Sequence, residues 1–270
     1  MLAQWKAVWM ATIRGQLLRA AGRPPHGDPL AEYEIQWRKK GFDRYVPRDL
    51  EGGGTPWIWR DFRFFLSNEA GAAIRLLYLE DAFTTLQPAR VLEVGCGNGI
   101  NLHLLSGRFP DASFTGLEAT REGCAAARRL VGQGQLPPEL QAFAPFEVAD
   151  VTAVSRVAIV QGLSGALPFP DRTFDVVVTS LALEQMEETR DLALSELARV
   201  ASAHVVMLEP FRDVNPRGLR RRYVRAQGYF QGAIADLGRF GLAVTSTTTD
   251  MPHKAWLGTA VVVARRVRGV

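Results

Sequence analysis

Cysteine and histidine are scarce in this chain of 270 residues, which has two cysteines, Cys96 and Cys124, and four histidines. They form no C-x-x-C pair and no Cys/His cluster, which excludes a disulfide framework and a zinc site of ordinary spacing; both thiols read as reduced and structural. No other metal ligands stand at useful spacing, so no metal is expected. No apolar run reaches the roughly 18 residues that a membrane-spanning helix needs. An excess of one charge is also missing. The 32 basic and 28 acidic residues leave a net charge of +4, too small an imbalance to demand nucleic acid as a partner. A chain that is 47% hydrophobic and 22% charged is neither disordered nor collagen-like. It has the length of one large domain with a cap or extension.

Acidic residues are absent before Asp28, and the basic, tryptophan-bearing stretch 1–20, MLAQWKAVWMATIRGQLLRA, stands out. Leu2, Trp5, Trp9, Ile13 and Leu17 recur at helical spacing with Lys6, Arg14 and Arg19 between them. Three readings stay open: a helix packed on the main domain or over its site, a helix lying in a membrane interface, or an Arg-rich organelle presequence. Lys6 and Arg14 interrupt any secretory signal core. Residues 22–29, GRPPHGDP, read as a breaker and joint. Residues 30–49 mix aromatics with charges, and 51–56, EGGGTP, form a flexible turn. Residues 57–66, WIWRDFRFFL, are dense in aromatics; they either pack across an edge of the fold or wall an acceptor pocket. Residues 1–66 are thus expected to be an N-terminal extension, a cap or surface-binding helix, and 67–270 the main domain.

The main domain opens with a helical pattern over 68–83. The stretch 91–105, VLEVGCGNGINLHLL, follows. It reads as strand, glycine turn and helix, the nucleoside corner of a doubly wound sheet. Glycine suits such a turn because the bend is sharp and backbone must approach a ligand closely. Dinucleotide sites space their glycines G-x-G-x-x-G, whereas Gly95, Gly97 and Gly99 fall at alternate positions behind Glu93. A second strand, 113–120, ends at Glu118 and Ala119; an acid there can accept hydrogen bonds from ribose hydroxyls. A helix over 121–131 follows. Residues 132–153 read as an insertion facing the substrate, and 156–162 as a short third strand. Residues 242–249 and 258–266 read as an antiparallel pair of strands at a sheet edge.

The E-x-G-x-G-x-G turn resembles motif I of the class I S-adenosylmethionine-dependent methyltransferases. The later segment ALPFPDRTFDVVVTSLALEQM, 166–186, is similar to the quinone-biosynthesis-like branch of that class, the type 11 methyltransferases. The resemblance spans about residues 90–265 and implies an α/β fold. Its mostly parallel seven-stranded sheet would end in a C-terminal antiparallel hairpin, with helices on both faces. It implies S-adenosylmethionine as cofactor, held by Glu93, Gly95, Cys96, Gly97, Asn98, Gly99, Glu118, Ala119, Leu163, Ser164 and Ser180. The chain departs from the family at Leu163, where an aspartate normally accepts from the adenine amino group; adenine would rest on backbone, Ser164 or apolar contact.

Methyl transfer from a sulfonium is an in-line displacement, so alignment and exclusion of water are the protein's main tasks. Glu184, Glu209 and His253 are the candidates for a catalytic base, with Gln185 able to orient an acceptor but not to take its proton. No N/D-P-P-Y tetrapeptide follows the fourth strand, which removes methylation of adenine or glutamine nitrogen. Neither cysteine is placed for a pyrimidine-C5 nucleophile. The expected activity is therefore methyl transfer to a small-molecule, glycan- or lipid-linked acceptor, most readily at oxygen. A membrane-surface enzyme on quinone or lipid intermediates is one alternative, and a non-catalytic binding or scaffold protein of the same fold is another. The arginines from 212 to 225 suit an anionic acceptor. The location implied is cytoplasmic, with a membrane-peripheral or organellar one left open by residues 1–20.

Overall fold

Strand β3 (Arg90–Val94) is buried along almost its whole length, as a strand covered by helices on both faces must be. Alternation then sorts its neighbours. Val91, Val176, Val178, Val206 and Leu208 join the core on one face of the sheet, and Leu92, Val94, Val177, Val205 and Met207 the core on the other. This period of two, with helices above and below, builds the doubly wound architecture. The computed structural model describes residues 9, 10, 12–14, 16, 17, 29–39, 41–45 and 54–267. The expected breaker at 22–29 lies outside them except for Pro29, as do most of the stretch 1–20 and the turn at 51–53.

In chain order the elements are α1 (Pro29–Lys39), β1 (Thr55–Trp59), β2 (Phe62–Leu66), α2 (Asn68–Leu86), β3, α3 (Ile100–Arg108), β4 (Ser113–Glu118), α4 (Arg121–Gln133), α5 (Pro138–Phe143) and β5 (Ala158–Gln161). They continue with β6 (Phe174–Ser180), α6 (Arg190–Val200), β7 (Ala201–Glu209), α7 (Gly218–Ala226), β8 (Leu242–Thr248), β9 (His253–Lys254) and β10 (Ala260–Arg266). The main sheet has seven strands in the order β5-β4-β3-β6-β7-β10-β8. Strands β5, β4, β3, β6 and β7 run parallel. Strand β10 runs antiparallel to β7 and β8, giving the terminal edge pair. The chain leaves β3 toward β4 on one side and later returns to β6 on the other. A ligand crevice belongs at that switch, outside the carboxyl ends of the strands.

Two regions differ from the sequence expectation. Residues 57–66 form a β-hairpin, β1–β2, that turns at Arg60 and Asp61 with Arg60 at φ +52°. The hairpin pairs with β9 into a separate three-stranded sheet. The expected boundary at residue 66 thus falls at the end of a hairpin whose partner strand lies far downstream. The expected insertion at 132–153 contains α5, and Leu136, Leu140 and Phe143 bury in the main core. Proline starts that helix, where its missing N–H costs nothing.

Candidate functional site

At the end of β3 the chain must turn sharply to enter α3. Gly95, Gly97 and Gly99 all adopt positive φ, which a side chain would oppose. Backbone ties this turn to the end of β4: Gly95 N donates to Leu117 O at 2.8 Å and Cys96 N to the same oxygen at 3.1 Å. Glu118 completes the join. Its Oε2 accepts from Gly97 N at 2.9 Å, and its Oε1 from Thr120 N at 2.9 Å and Thr120 Oγ1 at 2.6 Å. A Cβ on Gly95 would stand 2.5 Å from the Ala182 Cβ. The glycine turn and the turn after β6 therefore touch, and they form two walls of one crevice.

The turn after β6 is strained and braced. Leu181 has φ +53°, a left-handed conformation that costs a non-glycine residue about 1 kcal/mol. Glu209, at the end of β7, is fully buried; its Oε1 accepts from Ala182 N at 3.0 Å and Leu183 N at 3.1 Å. Glu184 is half-buried, with Gln185 Nε2 at 3.3 Å from its Oε1. Its backbone oxygen accepts from Phe230 N at 3.1 Å. Tyr229 next to it meets Tyr223 edge-on, with ring centroids 5.9 Å apart.

Burial gives these acids unusual titration. Glu93 is pushed up to about 8 by desolvation, against the pull of its hydrogen bond from Asn101 Nδ2 at 2.7 Å. Glu209 also rises to about 8, through burial and then the neighbouring charge of Glu184. Glu184 rises to about 6 through burial, opposed by Lys254, Gln185 and Arg75. Among the described residues, Glu93 Oε2, Asn98 Nδ2, Glu184 Oε2 and Glu209 Oε2 are buried without a hydrogen-bond partner. Buried polar atoms in folded proteins are nearly always paired, so four around one crevice point to a polar ligand.

A third wall comes from the N-terminal part. Helix α1 is held at the start of α4 by Glu34, whose Oε1 accepts from Arg121 N at 2.7 Å and Oε2 from Glu122 N at 2.9 Å. These backbone donors hold its carboxyl below the usual range. Anchored there, α1 lays the Trp37 ring on the central glycine. A Cβ at Gly97 would come within 2.3 Å of that ring. Burial, and then the charges of Glu184, Glu118 and Glu209, push the Tyr33 hydroxyl upward, which puts this residue among the acids of the crevice. Tyr45 is buried and donates to Asn98 Oδ1 at 3.4 Å.

The remaining residues singled out in the sequence spread more widely. Ala119 O accepts from Gln161 Nε2 at 3.2 Å. Ser180 is half-buried, and Ser164 is buried beside a Leu163 that is 57% exposed. Both thiols are buried, and burial raises both. His253 lies on β9, its Nδ1 hydrogen-bonded to Lys254 O at 3.0 Å, and burial lowers its pKa, with Arg220 adding to the effect. Lys254, rather than His253, is the member of that strand whose charge acts on Glu184. Among the described residues no three or more His, Cys, Asp or Glu side chains group to hold a metal ion. Glu34 and Tyr229 carry no signal of their own in the sequence, and Tyr33, Trp37 and Tyr45 stand out there only as part of the aromatic stretch 30–49. The four-residue step from Tyr33 to Trp37 marks one helix face, but nothing local says what that face covers.

Residues 92–207 match the sequence model of a methyltransferase-domain family. Over that stretch, less than half of the chain, it is similar to a methyltransferase domain. Among curated proteins, it is 29% identical over 145 residues to a fatty-acid O-methyltransferase of Mycolicibacterium smegmatis, covering 54% of this chain and 44% of that one. It is 33% identical over 140 residues to a phosphatidylethanolamine N-methyltransferase of Cereibacter sphaeroides, covering 50% and 58%. It is 35% identical over 134 residues to a malonyl-[acyl-carrier protein] O-methyltransferase of Laribacter hongkongensis, covering 49% and 40%. The chain thus spans about half the length of these relatives. Among solved structures the [4+2]-cyclase SpnF shares the fold, with a TM-score of 0.57 at 16% identity over 80% of this chain and 87% of that one.

Proposed function

We propose that this chain transfers the methyl group of S-adenosylmethionine to the carboxylate of a lipid-related acid, giving a methyl ester. The observation that carries the reading is the switch point itself: three left-handed glycines, with the buried Glu93 Oε2 and Asn98 Nδ2 lacking hydrogen-bond partners on the same turn. The cofactor supplies a methyl already activated on a sulfonium. The residues present fit it. Glu93 Oε2 is an acceptor for its ammonium group and Asn98 Nδ2 a donor for its carboxylate. Glu118 keeps lone pairs for the ribose, and backbone at Leu163 with Ser164 serves the adenine. Cys96, Ala119 and Ser180 line the path, with Gly95, Gly97 and Gly99 allowing close approach. In this reading residues 1–66 supply the cap, with Tyr33 and Trp37 closing the crevice against water.

Two relatives are named for acids that receive methyl at oxygen, which supports the carboxylate. The basic side supports it as well. Arg220 is half-buried on α7, its Nε bonded to Ala255 O at 3.1 Å, and an arginine fork suits a carboxylate. A carboxylate is already ionised at neutral pH. Bound S-adenosylmethionine would supply the methyl group to the carboxylate oxygen, and no base would be required. Glu184 and Glu209 then shape the pocket instead of moving protons, and His253 helps to seat the acceptor.

Work at a membrane surface is a second reading, favoured by the exposure of Trp9, Met10 and Leu17. Among the described residues no helix is long and apolar enough to cross a membrane. A non-catalytic role is the third, since a shared fold does not fix a reaction. Transfer of labelled methyl to a free fatty acid, the matching fatty alcohol and phosphatidylethanolamine tests all of these. The expected product is an ester that releases labelled methanol in mild alkali. Label in the alcohol or amine would overturn the carboxylate. Absence of calorimetric cofactor binding at millimolar concentration would overturn the enzyme.

A further inference from the structure

We infer that the rim of this crevice docks on an anionic lipid bilayer, with the tip of the β1–β2 hairpin as apolar wedge and α7 as cationic anchor. The inference builds on the lipid-acid reading but stands on separate observations. Among the described residues, the exposed tryptophans and phenylalanines are Trp9, Trp59, Phe62 and Phe65. Phe62, at the hairpin turn, is 68% exposed. Tryptophan and phenylalanine beside arginine suit the headgroup and upper acyl region.

The hairpin and α7 share one side of the molecule. Strand β10 begins with Ala260 opposite Glu209, so the loop holding β9 lies at the carboxyl ends of the parallel strands, where the crevice opens. The hairpin pairs with β9, and Ala255 N donates to Pro56 O at 3.0 Å. Ala255 O in turn accepts from Arg220, which fixes α7 beside the hairpin base. Gln16 lines a groove with Arg222, Arg225 and Ala226, which sets the N-terminal helical residues against the same helix. Met10, Ile13, Arg14 and Leu17 form an apolar groove there.

The charges select the lipid. At the hairpin tip Arg60 pairs with Asp250, and Asp61 offsets Arg63, so the wedge is close to neutral. Helix α7, sequence GLRRRYVRA, carries Arg220, Arg221, Arg222 and Arg225 and no acid. Arg222 and Arg225 are exposed one turn apart. A neutral aromatic wedge beside a purely cationic helix matches the apolar and anionic layers of an acidic bilayer. An acidic protein would satisfy the arginines but would leave Phe62 and Phe65 in water.

Flotation of the full chain with phosphatidylcholine vesicles, alone or with about one third phosphatidylglycerol, tests this. Binding should be at least about tenfold stronger on the anionic vesicles and should fall with added salt. The double change R222E/R225E should abolish the difference. Phe62→Ser should weaken anionic-vesicle binding several-fold with an unchanged melting temperature, since the side chain is exposed. Equal, weak recovery on both vesicles would overturn the inference. So would tight binding to an acidic acyl-carrier protein that Phe62→Ser leaves intact, with no vesicle binding. Cofactor calorimetry on the same preparation reads the methyltransferase proposal separately, because it needs no lipid.

Discussion

The glycine corner and the N-terminal part, proposed above as a cap, meet where Trp37 lies on Gly97, and they are built in opposite ways. In the corner almost every bond is short in sequence. Gly95, Cys96 and Gly97 reach only to Leu117 and Glu118, and the turn follows from glycine φ angles that the residues themselves permit. The cap is held from far away. Glu34 reaches Arg121 and Glu122, Tyr45 reaches Asn98, and β1 pairs with β9 about two hundred residues on. The corner is thus specified by what each residue can adopt, and the cap by what it can find.

The sharpest way to break the comparison is Gly97→Arg. A side chain there meets both a positive φ and the Trp37 ring. Cofactor binding should vanish at millimolar concentration while unfolding stays cooperative; retained binding would show that the corner is not the site. Trp37→Ala comes next. If the cap is part of the site, cofactor dissociation should rise about tenfold, or about 1.4 kcal/mol. Unchanged affinity by calorimetry would make α1 a bystander. Glu34→Gln should act in the same direction by a smaller factor, because it loosens the helix and leaves the ring in place.

Glu184→Gln asks what the cap encloses. With a carboxylate acceptor, kcat should stay within about threefold, whereas loss of a true general base costs about 10²–10⁴. A large loss, with a limb near pH 6 disappearing from the rate profile, would move the acceptor to a hydroxyl. Glu93→Gln changes the dependence of stability on pH. The folded Glu93 carboxyl, at about 8 against an ordinary 4.5, keeps its proton to higher pH than the unfolded chain does. Its stabilising contribution is complete below about 4.5 and is lost as pH rises through about 8, with a limiting slope of about 1.4 kcal/mol per pH unit. Denaturant midpoints of the cofactor-free protein should fall across that window, and less steeply in the variant. Binding of the cofactor's ammonium should release a proton from Glu93, so affinity should rise toward pH 8. Calorimetry in buffers of different ionisation heat checks the sign.

Much of the main domain was legible because each element carries its own signal. The strand at 91–94, the helix after Gly99, the acid at Glu118 and the terminal edge pair all lie where period and glycine spacing place them. Residues 57–66 were not legible as a hairpin. Their burial alternates weakly, and their outer partner is the two-residue β9. Residues 138–143 were hidden because two prolines read as a break when the second of them starts a helix. The acids split the same way. Glu93 and Glu118 were legible from spacing. That Glu209 braces a turn, and that its proton is held to about pH 8, depends on burial that spacing cannot report.

The sequence by itself determined the parallel sheet, the glycine turn and hence the nucleoside corner, since those follow from backbone freedom and side-chain alternation within a few dozen residues. The tertiary structure alone decided which aromatics close that corner, which acids lose their water and where the hairpin stands. Desolvation and long-range contact are properties of the packed whole, and no local stretch of chain encodes them.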